Sequence, residues 1–241
     1  MRRRTNFRDT AAHAARMTPT TLIAAARKSP AAARMRGDLA YHVLRGKILR
    51  LEIAPAELIN EAELMATLEV GRTPLREALQ RLSRENLVVI LPRRGTLVAD
   101  LNLSDLQKVS ELRRELEPFA ARLAAARATP PQIAAMQQNL RETDALDGAG
   151  DYRQLIELDA RAHALLAEAA HNEFLAELLE RMYNQVLRLW YVGLHRVGRL
   201  PEAIAEHHEL VNAIAARDAD GAEAVMRRHV AGFEKEFLKV V

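Results

Sequence analysis

The chain has 241 residues, 49% of them hydrophobic, which is enough for one large domain or two modest domains with a sizeable core. It has no cysteine, which excludes disulfides and thiolate metal sites, and no apolar run of about 18 residues, which excludes a bilayer-spanning helix. Charge is uneven: residues 1–36 hold nine Lys or Arg and one Asp, whereas residues 100–241 hold 17 Lys or Arg and 23 Asp or Glu. Nucleic-acid contact is therefore expected from the N-terminal part. No hydrophobic stretch follows the first arginines, so we expect a cytoplasmic protein without membrane contact.

Residues 1–36 are rich in Arg, Ala and Thr and have no strong periodic face. This composition predicts a basic, mostly disordered arm. Contact with DNA and an unstructured extension without a role are both compatible with it. Apolar residues recurring from Leu39 to Ile48 predict that a helix follows the arm.

Two short helices joined by a tight connection are predicted next. Asn60 and Glu63 have the spacing of a capping box that opens the first of them. In the second, residues 72–82, leucines recur at spacings of four and three, while Arg72 and Arg76 share a different face. The leucines of the inward face are Leu75, Leu79 and Leu82. Such a pair is typical of a helix-turn-helix.

The start of the second helix carries groups that suit nucleic acid. Pro74 fits a first helical turn, where its missing N–H would find no partner, and Thr73 is expected to cap that turn. Arg72 and Arg76 add two guanidinium groups beside open backbone N–H groups. That set fits phosphates and the edge of a guanine. An ordinary surface helix with scattered arginines is the competing interpretation of this helix alone.

The segment after these helices predicts a hairpin. Two β-rich runs, 87–91 and 96–99, flank a turn that contains Pro and Gly. The tip consists of Arg93, Arg94 and Gly95. A hairpin that follows a recognition helix is a wing, and its tip can reach a neighbouring groove or phosphate.

From residue 104 onward, nearly every segment has a helical pattern. Ser104 begins a second capping pattern, and a stripe of large apolar residues runs from Leu106 to Leu123. Breaks follow at Pro130–Pro131, Gly148–Gly150, His171–Asn172, Pro201 and Asp218. The predicted fold class is mainly α: an N-terminal winged helix-turn-helix over residues 37–100, then an all-α antiparallel helical bundle over residues 104–241.

Histidines are the most informative polar residues of the bundle. Asp159 and His163 are four residues apart and therefore project from one side of a helix. His207 lies near the start of a later helix, and His229 lies in the last one. One carboxylate and three imidazoles suit a divalent metal such as Zn²⁺ or Ni²⁺, but spacing alone favours three unrelated, partly buried histidines.

From Gly37 to the C-terminus, the sequence resembles the GntR family of bacterial transcription regulators, and its FadR-like branch in particular. The motifs that carry the resemblance are residues 60–64 (NEAEL), residues 71–79 (GRTPLREAL) and residues 93–96 (RRGT). The resemblance implies a winged DNA-binding domain followed by an all-helical domain of the FCD type for effector binding and dimerisation.

The sequence departs from the family pattern at four positions. Ala56, Glu69 and Asn86 stand where glycine is usual, which alters turn chemistry more than DNA chemistry. Gly71 stands where serine is usual, so one hydroxyl contact to a phosphate is in doubt.

The resemblance also implies a ligand set. Asp159, His163, His207 and His229 match the positions at which many members hold a divalent metal, with Zn or Ni most expected. His207 is preferred over its neighbour His208 because the family ligand directly follows an acidic residue. Such a site leaves a position for a small carboxylate effector.

Three further residues are assigned to the effector site. Arg113 matches a family position that faces the pocket and would pair with a carboxylate. An ion pair between Arg113 and a glutamate of the bundle is the alternative. Asn184 and Arg188 are also expected to line the pocket.

The predicted function is a ligand-responsive transcription regulator, a repressor rather than an enzyme, that binds double-stranded operator DNA as a homodimer through an apolar face of the bundle. A metal-dependent hydrolase with an accessory nucleic-acid-binding domain is the first alternative. An architectural DNA-binding protein is the second, although it would need no metal pocket.

Overall fold

The computed structural model describes residues 30–146, 152–193 and 200–237. Helix α1 spans Pro30–Leu49, so the segment predicted as a disordered arm is helical from residue 30. Proline at the first helical position and the alanines after it favour this earlier start. The rest of the predicted arm lies outside the described residues.

Contacts divide the chain into two units. The first comprises the described residues up to Gly46 together with Glu57–Val98, and the second comprises Lys47–Ala56 together with the described residues from Ala99 onward. Within the described ranges, no helix combines the length and the apolar composition that a bilayer crossing requires.

The first unit contains the predicted helix pair. Helix α2 spans Glu61–Thr67 and helix α3 spans Arg72–Arg84. Asn60 caps α2, because its Oδ1 accepts the backbone N–H of Glu63 at 3.2 Å. The Glu63 carboxylate, in turn, accepts the side-chain amide of Asn60 at 3.1 Å. The leucine face of α3 is buried as predicted, and its members Leu75, Leu79 and Leu82 are at most 2% exposed.

The predicted wing is also present. Strands β1 (Val88–Leu91) and β2 (Gly95–Val98) pair antiparallel, with Val88 opposite Val98 and Leu91 opposite Gly95. The segment before α2 extends this small sheet, since Ile59 N–H donates to the carbonyl of Thr96 at 2.8 Å. Gly95 has a φ of +99°, a conformation that L side chains rarely adopt.

In three turns a residue with a side chain has a positive φ, a conformation that costs glycine less energy. Ala56, Glu69 and Asn86 have φ values of +61°, +50° and +57°. These are the positions where the sequence departs from the glycines of the family pattern. A Cβ atom in this left-handed region approaches the carbonyl oxygen closely, so each departure stores local backbone strain.

The second unit is an antiparallel bundle. Its helices are α4 (Leu103–Arg127), α5 (Pro130–Asp144), α6 (Tyr152–Ala169), α7 (Glu173–Gly193), α8 (Leu200–Ala215) and α9 (Ala219–Phe237). Helix α4 lies at the centre, where it contacts α6, α7, α8 and α9. It begins at Leu103, so Ser104 lies inside its first turn and the predicted capping position is wrong by at least one residue.

Helix α4 buries the predicted stripe of large residues only in part, since Val109, Leu116 and Leu123 are partly buried and pack against the core. Leu112 and Phe119 are 54% and 46% exposed. The buried face instead carries alanines and three polar side chains. These residues are Ser110, Arg113, Glu117, Ala120, Ala121, Ala124 and Ala125. Small side chains allow neighbouring helices to approach α4 closely.

A proline inside α4 is accommodated by the last helix. Pro118 has no N–H to donate to the carbonyl of Arg114 four residues earlier. Arg227 of α9 donates to that carbonyl at 3.4 Å, which satisfies the acceptor that the helix leaves open.

Candidate metal centre and nucleic-acid interface

The four predicted metal ligands converge in the bundle. Asp159 and His163 come from α6, His207 from α8 and His229 from α9. One ligand atom from each lies within 4.8 Å of those of the other three. All three histidines are buried. The imidazoles therefore form a cluster and are not three unrelated core residues.

The cluster fits a divalent cation. Nε2 of His163 lies 3.9 Å from Asp159 Oδ2, and Nε2 of His207 lies 3.6 Å from Asp159 Oδ1. Both nitrogens are buried, and no hydrogen-bond partner for either lies in the described chain. Buried polar atoms normally have partners, so two orphans aimed at one carboxylate suit a metal.

Carboxylates behind the cluster orient two of the imidazoles. Nδ1 of His163 lies 3.0 Å from Glu117 Oε2, and Nδ1 of His229 lies 3.0 Å from Glu206 Oε2. An acceptor at Nδ1 places the proton there and leaves Nε2 with its lone pair for a metal. The hydroxyl of Tyr183 donates to Asp159 Oδ2 and fixes the carboxylate as well.

The buried charges act in opposite directions on two of the imidazoles. Burial alone would raise the pKa of Glu117 and lower that of His163, but the charges of Arg113 and Asp159 and the Glu117–His163 contact reverse both directions. The pKa of Glu117 is thus held below its usual range, and that of His163 is raised. Burial and the charge of His229 lower the pKa of His207 to about 3, so this imidazole is neutral and able to ligate.

A cavity of about 20 Å³ adjoins the cluster, which is room for roughly one water molecule. His163, His207 and Asn139 are its polar lining, and the remaining wall is apolar. In this conformation an organic acid beyond the smallest would need the helices to move.

The three residues assigned to the effector are buried, but they do not line this cavity. Arg113 donates to Glu117 through Nε and lies over the ring of Tyr183 at 5.6 Å, which places it directly behind the metal ligands. The predicted alternative, an ion pair with a bundle glutamate, is therefore present. Asn184 follows Tyr183 on α7, and Arg188 donates to the carbonyl of Ala99.

The winged unit displays the predicted DNA-contacting residues on its surface. Arg72, Thr73 and Arg76 are exposed at the start of α3, and Arg93, Arg94 and Gly95 are exposed at the wing tip. The cap is Gly71, whose φ and ψ are −81° and 173° and which makes no side-chain hydrogen bond. The prediction that Thr73 caps α3 is therefore wrong, because Arg72 is already helical.

Two arginines of the winged unit differ in how their side chains are held. Arg81 is held by Asp38 at 2.5 Å and lies over the Tyr41 ring at 3.8 Å, so it serves the fold. Arg93, by contrast, has a φ of +63° at the wing tip. Its side chain is exposed there, so a strained backbone position holds a guanidinium at the surface of the tip.

Two parts of the chain match the sequence profiles of known protein families. The sequence profile of the FCD domain matches residues 108–232, and that of the bacterial regulatory proteins of the gntR family matches residues 37–98. The Nta operon transcriptional regulator of Aminobacter aminovorans is 32% identical over 188 residues, which cover 78% of this chain and 87% of that protein. The chain belongs to the GntR family. The HTH-type transcriptional repressor RspR of Escherichia coli strain K12 is another GntR relative, 28% identical over 79% of this chain and 83% of its own length.

Solved GntR structures share the fold. E. coli McbR/YncC superposes with a TM-score of 0.75 at 21% identity, over 85% of this chain and 97% of that one. A GntR regulator from Rhodococcus sp. RHA1 superposes with a TM-score of 0.72 at 22% identity, over 86% and 99%. These likenesses confirm the fold class of a winged helix-turn-helix followed by a helical domain.

Membership settles the broad function. GntR regulators bind operator DNA, and FCD domains bind small-molecule effectors and often a metal. The chain is a transcription regulator and not an enzyme, so the hydrolase alternative is not supported.

Three residues around the cluster are not predicted from the sequence: Glu117, Tyr183 and Glu206. The spacing of Arg113 and Glu117, four apart on one helix, was the available signal for the first. In the sequence, Glu206 is marked only as the acidic neighbour of His207. Nothing in the spacing of Tyr183 pointed to Asp159.

Proposed function

We propose that this GntR regulator is a repressor that binds its operator as a homodimer and responds to a small carboxylate at a divalent metal centre. The observation that carries the proposal is the buried Asp159–His163–His207–His229 cluster with its two unpartnered nitrogens. Repression is inferred from relatives that are named repressors, among them RspR and GlaR of E. coli.

The chain's own residues would hold the metal and prepare the pocket. Asp159 and the three Nε2 atoms supply the ligands, while Glu117, Glu206 and Tyr183 fix their orientation. When bound, zinc or nickel would offer an anionic oxygen a Lewis-acidic position. Among the described residues, Arg113 is hydrogen-bonded only to Glu117, through Nε, which leaves its other nitrogens for a carboxylate of the effector. Asn184, which follows Tyr183 on α7, is the remaining candidate for contact with it.

Paired histidine variants test the metal centre. His163→Ala with His207→Ala should lose stoichiometric metal by elemental analysis and lose the effector response, because two of four ligands are gone. The matched control is His171→Ala with His208→Ala, which removes two histidines whose partners are Gln132 and Asp144 outside the cluster. Full metal retention by the first pair would refute the site.

On the DNA side, the proposal assigns base-edge or phosphate contacts to Arg72 and Arg76 and backbone contacts to Thr73. Arg93, Arg94 and Gly95 form the wing contact. With a site selected from random DNA, Arg76→Ala should weaken specific binding by about 1–3 kcal/mol if it makes a bidentate base contact. Arg181→Ala is the control, an exposed arginine of the bundle that pairs with Glu177. Equal affinities of both variants in gel-shift titrations would remove Arg76 from the interface.

The proposed dimer face consists of exposed apolar residues on the contacting helices α4 and α7. Its members are Leu112, Phe119, Phe174 and Leu178, which are 54%, 46%, 76% and 50% exposed. Large exposed apolar residues commonly mark protein–protein interfaces, and two half-sites of DNA call for two winged domains.

Sedimentation tests this face. The wild-type chain should be a dimer at micromolar concentration, and Phe119→Asp with Phe174→Asp should be monomeric because charges would be buried at the interface. Tyr152→Asp, at a residue 38% exposed on α6, should leave the dimer intact. A wild type that sediments as a monomer with and without DNA would defeat the assignment.

A further inference from the structure

Arg188 on α7 has no exposed surface and is the largest fully buried side chain of the described residues. Its Nη2 donates to the carbonyl of Ala99, the residue that follows β2 in the chain. Nε and Nη1 are buried as well, and neither has a hydrogen-bond partner in the part of the chain that the structure describes. These N–H groups are therefore unsatisfied.

The charge of Arg188 is not compensated locally. The buried guanidinium of Arg113 has the carboxylate of Glu117 beside it, whereas no carboxylate of the described ranges pairs with Arg188. Asp100 acts on it only from a distance, since that side chain is exposed and accepts the N–H of Leu101 at 2.8 Å. Burial lowers the pKa of Arg188, against the opposing effect of Asp100. A buried cation is normally paired with an anion, and Arg188 has no such partner among the described residues.

We propose that Arg188 is a binding site for a small carboxylate, separate from the cavity beside His163 and His207, and that the bound anion competes with the carbonyl of Ala99. This proposal rests on the proposed function as an effector-responsive regulator. A carboxylate is a stronger acceptor for a guanidinium than a peptide carbonyl, because the hydrogen bond is then assisted by both charges.

The competition would act on the linker. Ala99 lies between β2 and α4, and its carbonyl is held by Arg188. If an anion takes over the guanidinium, the linker loses this restraint. The anion shifts the linker only by its differential affinity for the restrained and the released states.

Trp190 provides a local reporter. It is the only tryptophan of the chain, lies two residues after Arg188, is buried, and stacks on Phe233 of α9 with ring centroids 4.3 Å apart. The test titrates the full chain with sodium acetate at constant ionic strength, with sodium chloride as the balancing salt. Trp190 fluorescence follows binding, and hydrogen exchange of residues 99–103 follows the linker.

The wild type should show a saturable fluorescence change and faster linker exchange when acetate binds. Arg188→Gln should bind acetate on the order of tenfold or more weakly and should exchange rapidly at the linker without acetate. Arg188→Lys keeps the charge but not the fork of donors, so it should bind acetate while leaving the linker released. Arg181→Gln, at an exposed arginine of the same helix, should match the wild type.

The two proposals fail separately. The paired variant His163→Ala with His207→Ala should keep the Arg188-dependent acetate response even though it has lost the metal. Two results would overturn the Arg188 site: no saturable response of the wild type to acetate, or equal acetate affinity and equal linker exchange in Arg188→Gln and the wild type.

Discussion

Replacing Arg93 by glycine should stabilise the wing and weaken DNA binding at the same time. Arg93 has a φ of +63°, where a side chain costs roughly 1–2 kcal/mol relative to glycine. Glycine also loses more backbone entropy than arginine on folding, and this offsets about 0.5–1 kcal/mol of the gain. No described residue pairs with the exposed Arg93 side chain, so nothing else is lost on folding. The expected net gain is about 0.75 kcal/mol, the difference between the midpoints of these two ranges, with extremes of about 0 and 1.5 kcal/mol.

The effect on DNA has the opposite sign. If Arg93 contacts one phosphate, its removal should reduce the salt dependence of binding, with the slope of log K against log salt changing by about 0.9. The assay pairs a gel-shift titration at several salt concentrations with hydrogen exchange of the β1–β2 amides, which reports local opening of the hairpin.

Arg94→Gly is the matched control. Arg94 is also exposed at the tip, but its φ is not positive, so glycine there should destabilise the hairpin while it also weakens DNA binding. Opposite changes in hairpin stability with similar changes in DNA affinity are therefore expected from adjacent residues. Unchanged or faster hairpin exchange in Arg93→Gly would refute the strain argument, and an unchanged salt slope would refute the phosphate contact.

Three further changes test the turn, the cap and the centre. Glu69→Gly relieves a φ of +50° and should stabilise the chain in thermal denaturation, whereas Ala66→Gly in exposed α2 should destabilise it; the same sign for both would contradict this. Gly71→Ser has room for its Cβ, 3.9 Å from the nearest atom, and should add a few tenths of a kcal/mol as a cap. It should also tighten DNA binding in a gel shift, and unchanged affinity would contradict a phosphate contact at this position. Glu117→Gln should cost about 3–5 kcal/mol in denaturant unfolding, since it leaves a buried guanidinium uncompensated, and about 10–100-fold in metal affinity by chelator competition. Glu115→Gln, at a carboxylate side chain that is 74% exposed, should change neither, and equal results for both glutamates would count against the role of Glu117.

The winged unit was largely predictable because its signals are local. The cap at Asn60 and the leucine face of α3 each depend on residues a few positions apart, and both are present. The cap of α3 was not predictable in the same way. Gly71 is the cap but has no side chain that identifies it as one. Thr73 has a side chain typical of a cap but lies inside the helix.

The bundle shows where sequence reasoning stops. Large apolar residues identify the stripe of α4 that includes Leu112 and Phe119, yet the helix buries its alanines and its polar face. Hydrophobicity alone does not determine which apolar side chains of a helix its neighbours cover. Only the position of α4 at the centre of the bundle shows which face its neighbours cover.

The metal centre was also only partly predictable from the sequence. Its buried charges explain the residues that the sequence did not predict. The family motifs identify four ligands, but the carboxylates behind them come from distant parts of the chain. Three carboxylates, those of Glu117, Asp159 and Glu206, meet one buried guanidinium, that of Arg113, and the more exposed Arg228 reaches Glu206 from the rim. With neutral imidazoles the buried groups carry an excess of negative charge, which is unfavourable in a poorly solvated interior. A divalent cation among the Nε2 atoms would compensate it, so Glu117 and Glu206 favour the metal as well as orient its ligands.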